Sequence, residues 1–116
     1  MSKDCIFCKI VEGEIPSKKV YEDDMVLAFH DITPVAPVHV LIIPKKHISS
    51  ILDIDESDAE NYIAKIHLAA KKIAKDLGIA ENGFRLVNNC GDAGGQTVYH
   101  IHYHLLGGRN LSWPPG

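Results

Sequence analysis

Three histidines alternate with other residues in the stretch Val98-Tyr99-His100-Ile101-His102-Tyr103-His104-Leu105-Leu106. The run is rich in aromatic and branched residues, lacks Pro and Gly, and is bracketed by glycines, so it reads as a β-strand over 98–106. Side chains alternate along a strand, which puts His100, His102 and His104 on one face and Ile101, Tyr103 and Leu105 on the other. Neighbouring imidazoles on that face would stand about 6.5–7 Å apart. Such a row is costly as core filler, because every ring has two nitrogens to satisfy. A solvent-facing polar strand ordinarily carries Thr, Lys and Glu instead. Two chemistries fit the row: a metal site built on His-x-His, or metal-free nucleophilic and acid–base work by imidazoles that are largely neutral at pH 7. The upstream segment Gly91-Asp92-Ala93-Gly94-Gly95-Gln96-Thr97 favours the second. A glycine-rich turn can present backbone N–H groups as a concave anion nest, the plainer alternative being a flexible hairpin turn.

A second chemical feature lies near the N-terminus. Asp4-Cys5-Ile6-Phe7-Cys8-Lys9-Ile10-Val11-Glu12 predicts a short helix capped by Asp4, with Ile6, Ile10 and Phe7 inward. Cys5 and Cys8, three apart, then share a face. Two thiols at that spacing can grip a tetrahedral metal. They are equally readable as buried small hydrophobes or as a redox pair, although the strand that normally precedes a redox pair is missing. Asp31, after a predicted strand, reads on its own as a turn residue, and Asn89 as a loop residue able to adopt αL.

The elements that must position these groups follow from patterning. Lys19–Glu22 and 25–30 read as a hairpin about Asp23-Asp24. His39–Pro44 is an apolar central strand ended by proline. Lys45 and Lys46 read as solvated. Ser57-Asp58-Ala59-Glu60 has capping-box spacing, and a helix runs on to about Leu77 with Gly78 beyond its end. Ile63, Ile66, Ala70, Ile73, Ala74 and Leu77 form its apolar stripe, with Lys65, Lys71, Lys72 and Lys75 mostly elsewhere and His67 at the surface. Residues 83–89 read as the penultimate strand. The expected fold is α+β: an antiparallel meander of about five strands on one long helix, with a short N-terminal helix.

Taken together, four motifs carry a resemblance to a known family. His100 to Leu106, Gly94 to Tyr99, Phe29-His30-Asp31-Ile32-Thr33-Pro34 and Val40 to Ile48 resemble, in order, the histidine-triad superfamily and its nucleotide-binding branch. The resemblance runs from about residue 5 to the C-terminus and extends to the tail Gly107 to Gly116. It implies that His102 attacks the α-phosphorus of a purine nucleoside phosphoramidate, ester or anhydride, forming a nucleotidyl-histidine that water releases. His102 would be oriented by the carbonyl of His100 and supported by His39. Gly94, Gly95, Gln96, Thr97 and His104 would hold the phosphate, Asp31 the ribose hydroxyls, Ile32 the base, and Asn89 the region between ribose and phosphate. Position 97 is commonly Ser in that branch, and Thr97 keeps the hydroxyl while adding a methyl. The metal-bearing members imply a structural Zn²⁺ on Cys5, Cys8, His47 and His100. They also imply a homodimer that extends the sheet and brings Trp113 near the partner's site. Three rival readings remain at this point: a nucleotidyl transferase or phosphorylase of the same superfamily, a non-catalytic nucleotide-binding module, and a hydrolase with its metal on the triad itself.

Bulk properties set the outer bounds. The 116 residues suit one domain, 1–116, and 46% hydrophobic with 23% charged residues describes a globular chain. A net charge of −3 argues against a broad nucleic-acid or anionic-membrane surface. No stretch has the length of a membrane span or the apolar core of a signal peptide, and three cysteines make no disulfide framework. The expectation is a cytoplasmic protein.

Overall fold

Strict alternation in the two central strands decides the architecture, because each sends apolar side chains to both sides of the sheet. The computed structural model of the chain describes residues 4–116. Five strands, β1 (Lys19–Glu22), β2 (Val26–His30), β3 (Val38–Pro44), β4 (Phe84–Asn88) and β5 (Tyr103–Gly107), form one sheet in the order β1-β2-β3-β5-β4. Every neighbouring pair is antiparallel. The expected meander holds through β3 and then fails. The connection from β3 to β4 is helical, crosses one face of the sheet and returns two strand positions away, and β5 fills the slot between.

One face buries Val26, Ala28, Val40, Ile42, Ile101, Tyr103 and Leu105 against the helix α3 (Ala64–Asp76). From the helix come Ile66, Ala69, Ala70, Ile73 and Ala74. Full burial of each large aliphatic side chain contributes about 1.5–3 kcal/mol. The other face buries Leu27, Phe29, Leu41 and Ile43 against α1 (Ile6–Val11), which supplies Phe7, Cys8 and Ile10. The odd-numbered positions of β3 therefore face α1, and His39 lies on that face.

Three local expectations are corrected. The N-cap of α1 is Cys5 rather than Asp4: Cys5 is extended, and its Sγ accepts from the Cys8 amide at 3.2 Å. That rotation buries Phe7 and leaves Ile6 47% exposed. The capping box uses Asp55 and Asp58, two residues earlier than expected, at the start of α2 (Glu56–Asp58). A π-helical turn over Ala59–Ile63 then leads into α3. Asp58 is buried and pairs with Lys46 at 2.6 Å, so Lys46 is anchored rather than simply solvated. The helix does end as its pattern suggests, with Leu77 at the C-cap and Gly78 at φ +76°. Among the described residues, no helix is long and apolar enough to cross a membrane.

Candidate active site and metal cluster

The histidine strand is shorter than expected, yet its alternation survives. β5 begins only at Tyr103, because the Ile101 amide donates to the Ile48 carbonyl at 2.7 Å rather than to a sheet ladder. His100 and His102 thus precede the strand on irregular backbone. Ile101, Tyr103 and Leu105 still enter the helix-side core. The three imidazoles turn to the α1 side, where Phe7 sets its ring edge-on to His100 and His102, at centroid separations of 6.0 and 5.1 Å. His102 and His104 rings lie 5.2 Å apart. The register pairing Leu41 with His104 puts His39 diagonally beside His104.

Hydrogen bonds to the backbone fix which nitrogen of each ring carries a proton. His102 Nδ1 lies 2.9 Å from the His100 carbonyl. A carbonyl only accepts, so Nδ1 donates and Nε2 is left with its lone pair. The Val35 amide donates to His39 Nδ1 at 3.1 Å, so the proton of neutral His39 sits on Nε2. That Nε2–H is 2.9 Å from His104 Nδ1 and 3.4 Å from Asp31 Oδ2. His104 Nδ1 is therefore an acceptor, and its own proton is carried on Nε2. Neighbouring rings present opposite chemistry: a lone pair on His102 Nε2 and an N–H on His104.

Burial keeps these rings neutral. It lowers the pKa of His102, partly offset by the bond to the His100 carbonyl and by the Asp31 carboxylate. It lowers His39 as well, against the pull of Asp31. His104 is pushed down to about 4 by burial and by the neighbouring His102 and His39. An unfolded histidine titrates near 6.5. The unfolded chain therefore binds more protons than the folded one between those values, so stability rises with pH there and is lost as pH drops. Stabilisation from the neutral His104 ring is complete above about 6.5 and is lost as pH drops toward 4. The expected result is a midpoint of thermal unfolding that declines from pH 6.5 to 4.5, with a shallower decline in His104→Gln. Equal slopes in the two proteins would contradict it.

On the other side of His100 lies a compact donor cluster. Cys5 Sγ, Cys8 Sγ, and one ring nitrogen each from His47 and His100 all lie within 4.8 Å of one another. Cys5 Sγ is 3.3 Å and Cys8 Sγ 3.5 Å from His100 Nδ1, and Cys8 Sγ is 3.2 Å from His47 Nδ1. His100 is wholly buried, and its Nε2 lies 2.8 Å from the Pro44 carbonyl. That carbonyl takes the Nε2 proton, so the Nδ1 lone pair faces the thiols. Two sulfurs and two such imidazoles are a complete tetrahedral set for a metal ion, with no open position. The four expected ligands thus converge. A groove of about 450 Å³, lined in part by Cys5, His47, Ser49 and Thr97, opens onto the cluster.

The glycine turn differs from the open nest that was expected. The amides of Gly94, Gly95 and Gln96 donate to the carbonyls of Gly91, Asp92 and Gly91, so all three are engaged within the turn. The turn is tight enough that a Cβ on Gly94 would stand 2.3 Å from the Cys90 oxygen. Gln96 is buried and structural: its Nε2 donates to the Ser49 and Val98 carbonyls, and its Oε1 accepts from the Gly91 amide. Thr97 stands exposed beyond it. Asp31 accepts from the Thr33 amide at 2.7 Å, the turn role its position suggested, while its second oxygen faces His39. Ile32 is 98% and Trp113 83% exposed, so in the single chain neither is packed into a pocket. Asn89, half-buried at the end of β4, lies close to Gly95. Its neighbour Asn88 was missed by the sequence reading. Its Nδ2 donates to the His102 carbonyl at 3.0 Å and braces the backbone at His102. A half-buried amide inside a strand needs such a partner, and that was the available signal.

Comparison with known proteins follows this geometry closely. The HIT domain family matches residues 12–111. A purine nucleoside phosphoramidase of Escherichia coli is 50% identical over 111 residues, covering 96% of this chain and 92% of that protein. A 14 kDa zinc-binding protein of Brassica juncea is 50% identical over 115 residues, covering 97% and 100%. The crystal structure of a HIT family hydrolase from Legionella pneumophila superposes with a TM-score of 0.94 at 57% identity, covering 97% of this chain and all of that one. With the triad on one face, His39 beside it and the match spanning nearly its whole length, this chain belongs to the HIT domain family.

Proposed function

We propose that this protein is a HIT-family hydrolase of purine nucleoside phosphoramidates, working through a nucleotidyl-histidine on His102. The observation that carries the reading is the bond from His102 Nδ1–H to the His100 carbonyl, which leaves Nε2 of a neutral ring with its lone pair. In the first step Nε2 attacks the α-phosphorus, the phosphorus–nitrogen bond of the amide breaks, and the amine leaves as it takes up a proton from solvent. In the second, water attacks the same phosphorus, the histidine–phosphorus bond breaks and the monophosphate departs. The Nε2–H of His104 and the Thr97 hydroxyl would bond the phosphoryl oxygens as charge develops. Asp31 would accept from the ribose hydroxyls, Asn89 would bond near the phosphate, and Ile32 would cover the base. With their amides engaged, Gly94, Gly95 and Gln96 would act on the phosphate by shaping the loop that presents Thr97. His39 would support His104 rather than touch substrate.

The same reading includes a structural Zn²⁺ on Cys5, Cys8, His47 and His100. The donor chemistry and the zinc-binding relative from Brassica juncea support it. The metal would tie α1 to the loop after β3 and to the triad segment, and its closed shell keeps it out of the reaction. A homodimer is included too. β4 is an edge strand with Phe84 exposed, and the tail with Trp113 lies open nearby, since Arg85 of β4 donates to the Ser112 carbonyl. Cysteines held as thiols rather than as disulfides suit the reducing cytoplasm.

The test is incubation with an adenosine 5′-phosphoramidate carrying a lysyl or simple amine leaving group. Release of adenosine monophosphate and free amine with multiple turnovers is expected. Tight binding of adenosine monophosphate without any cleavage would replace the hydrolase by a binding module. Capture of the nucleotidyl group by added phosphate instead of water would favour a phosphorylase.

A further inference from the structure

Among the described residues two groups of metal-capable donors stand together, and both touch the triad segment. One is Cys5, Cys8, His47 and His100; the other is Asp31, His39 and His104, whose ligand atoms likewise lie within 4.8 Å of one another. Two imidazoles and a carboxylate, drawn here from β3, β5 and the end of β2, are a set that divalent transition metals accept readily. A metal there would take the His104 nitrogen that now accepts from His39, and it would compete with the first cluster for the same ion.

The backbone partners of the two central histidines differ in kind. His100 donates its Nε2 proton to the Pro44 carbonyl, which leaves Nδ1 bare toward the thiols. His39 Nδ1 accepts a hydrogen bond from the Val35 amide, which leaves Nε2 protonated toward Asp31 and His104. A metal bound at His39 Nε2 has to displace that proton. Moving it to Nδ1 sets one N–H against another at the Val35 amide. Releasing it leaves an imidazolate beside the Asp31 carboxylate. Both routes oppose binding, whereas binding at His100 needs no change of tautomer.

We propose that the Val35 amide is a positioning group that holds His39 in its Nε2–H tautomer and so keeps transition metals off Asp31, His39 and His104, sorting them to the cysteine-bearing cluster. The same lock hands an acceptor role to His104 Nδ1, so one backbone hydrogen sets two rings. Its consequence for metal binding is independent of which substrate is cleaved.

The test uses full-length protein with ¹⁵N-labelled histidine, loaded with one equivalent of zinc at neutral pH and followed by long-range proton–nitrogen correlation spectra, which report the tautomer of every ring. His39 should show an unprotonated Nδ1 and a protonated Nε2. Excess zinc should leave the His39 and His104 signals unmoved. A protonated His39 Nδ1, or His39 and His104 signals that shift in step with a second equivalent, would overturn the proposal. Val35→Pro removes the amide hydrogen. If its remaining spectrum matches the wild type, a second zinc should now bind and move both rings, and continued exclusion would remove the role given to the amide. If that variant misfolds, the wild-type titration decides alone.

Discussion

His102→Ala lowers turnover of an adenosine phosphoramidate by on the order of 10⁴-fold or more, the loss typical of removing a covalent nucleophile. The expected cost falls on turnover and leaves nucleotide binding within a few-fold. The groups proposed to hold the nucleotide, Asp31, Asn89 and His104, take no hydrogen bond from the His102 side chain. The structural cost is moderate. Among the described residues the ring's bond is to a backbone carbonyl, and Asn88 braces the His102 carbonyl irrespective of the side chain. A circular dichroism spectrum like that of the wild type, together with a steady-state assay, checks this. Turnover within tenfold of wild type would remove His102 from the nucleophile's place.

The second large effect is on stability. Cys8→Ala removes a donor that sits at the centre of the cluster, 3.2 Å from His47 Nδ1 and 3.5 Å from His100 Nδ1, and is fully buried. Three ligands hold zinc far less tightly than four, and loss of a structural metal belongs among the few changes that cost about 4 kcal/mol or more. In a chain of this size that corresponds to a fall of roughly 15 °C in the unfolding midpoint. Elemental analysis should find about one zinc per chain in the wild type and little in Cys8→Ala. His47→Ala, at a less buried position, should lose the metal to the same extent. The melting difference between wild type and variants should vanish once a chelator strips the wild type. A chelator that abolishes activity while leaving the melting point unchanged would instead put the metal on the reacting groups.

The chemistry was legible in the sequence because it rests on side chains, and what escaped rests on backbone. Alternation at positions 100, 102 and 104 foretold a shared face, and that face forms even though regular pairing starts only at Tyr103. The reason is that Ile101, Tyr103 and Leu105 anchor the opposite side regardless of the ladder. The Cys5–Cys8 spacing placed both thiols together, but choosing among metal, redox pair and core needed His47 and His100, which are distant in sequence and adjacent only in the fold. The order of the last two strands escaped because local patterning carries no register between β3 and β5. The glycine turn misled for a related reason: its composition tells that tight backbone is needed, and it does not tell whether the amides point outward or bond Gly91 and Asp92. The groups that set the tautomers, the Val35 amide and the carbonyls of Pro44 and His100, have no residue signature at all.

The most direct measurement of the account is mass spectrometry of the protein trapped during turnover. Wild-type protein mixed with an adenosine phosphoramidate, quenched in base within the first turnover and digested, should yield a peptide carrying one adenylyl group on His102. The adduct should decay as adenosine monophosphate appears. An adduct on His100, His104 or Thr97, or rapid release of monophosphate from a protein that never carries one, would contradict the account.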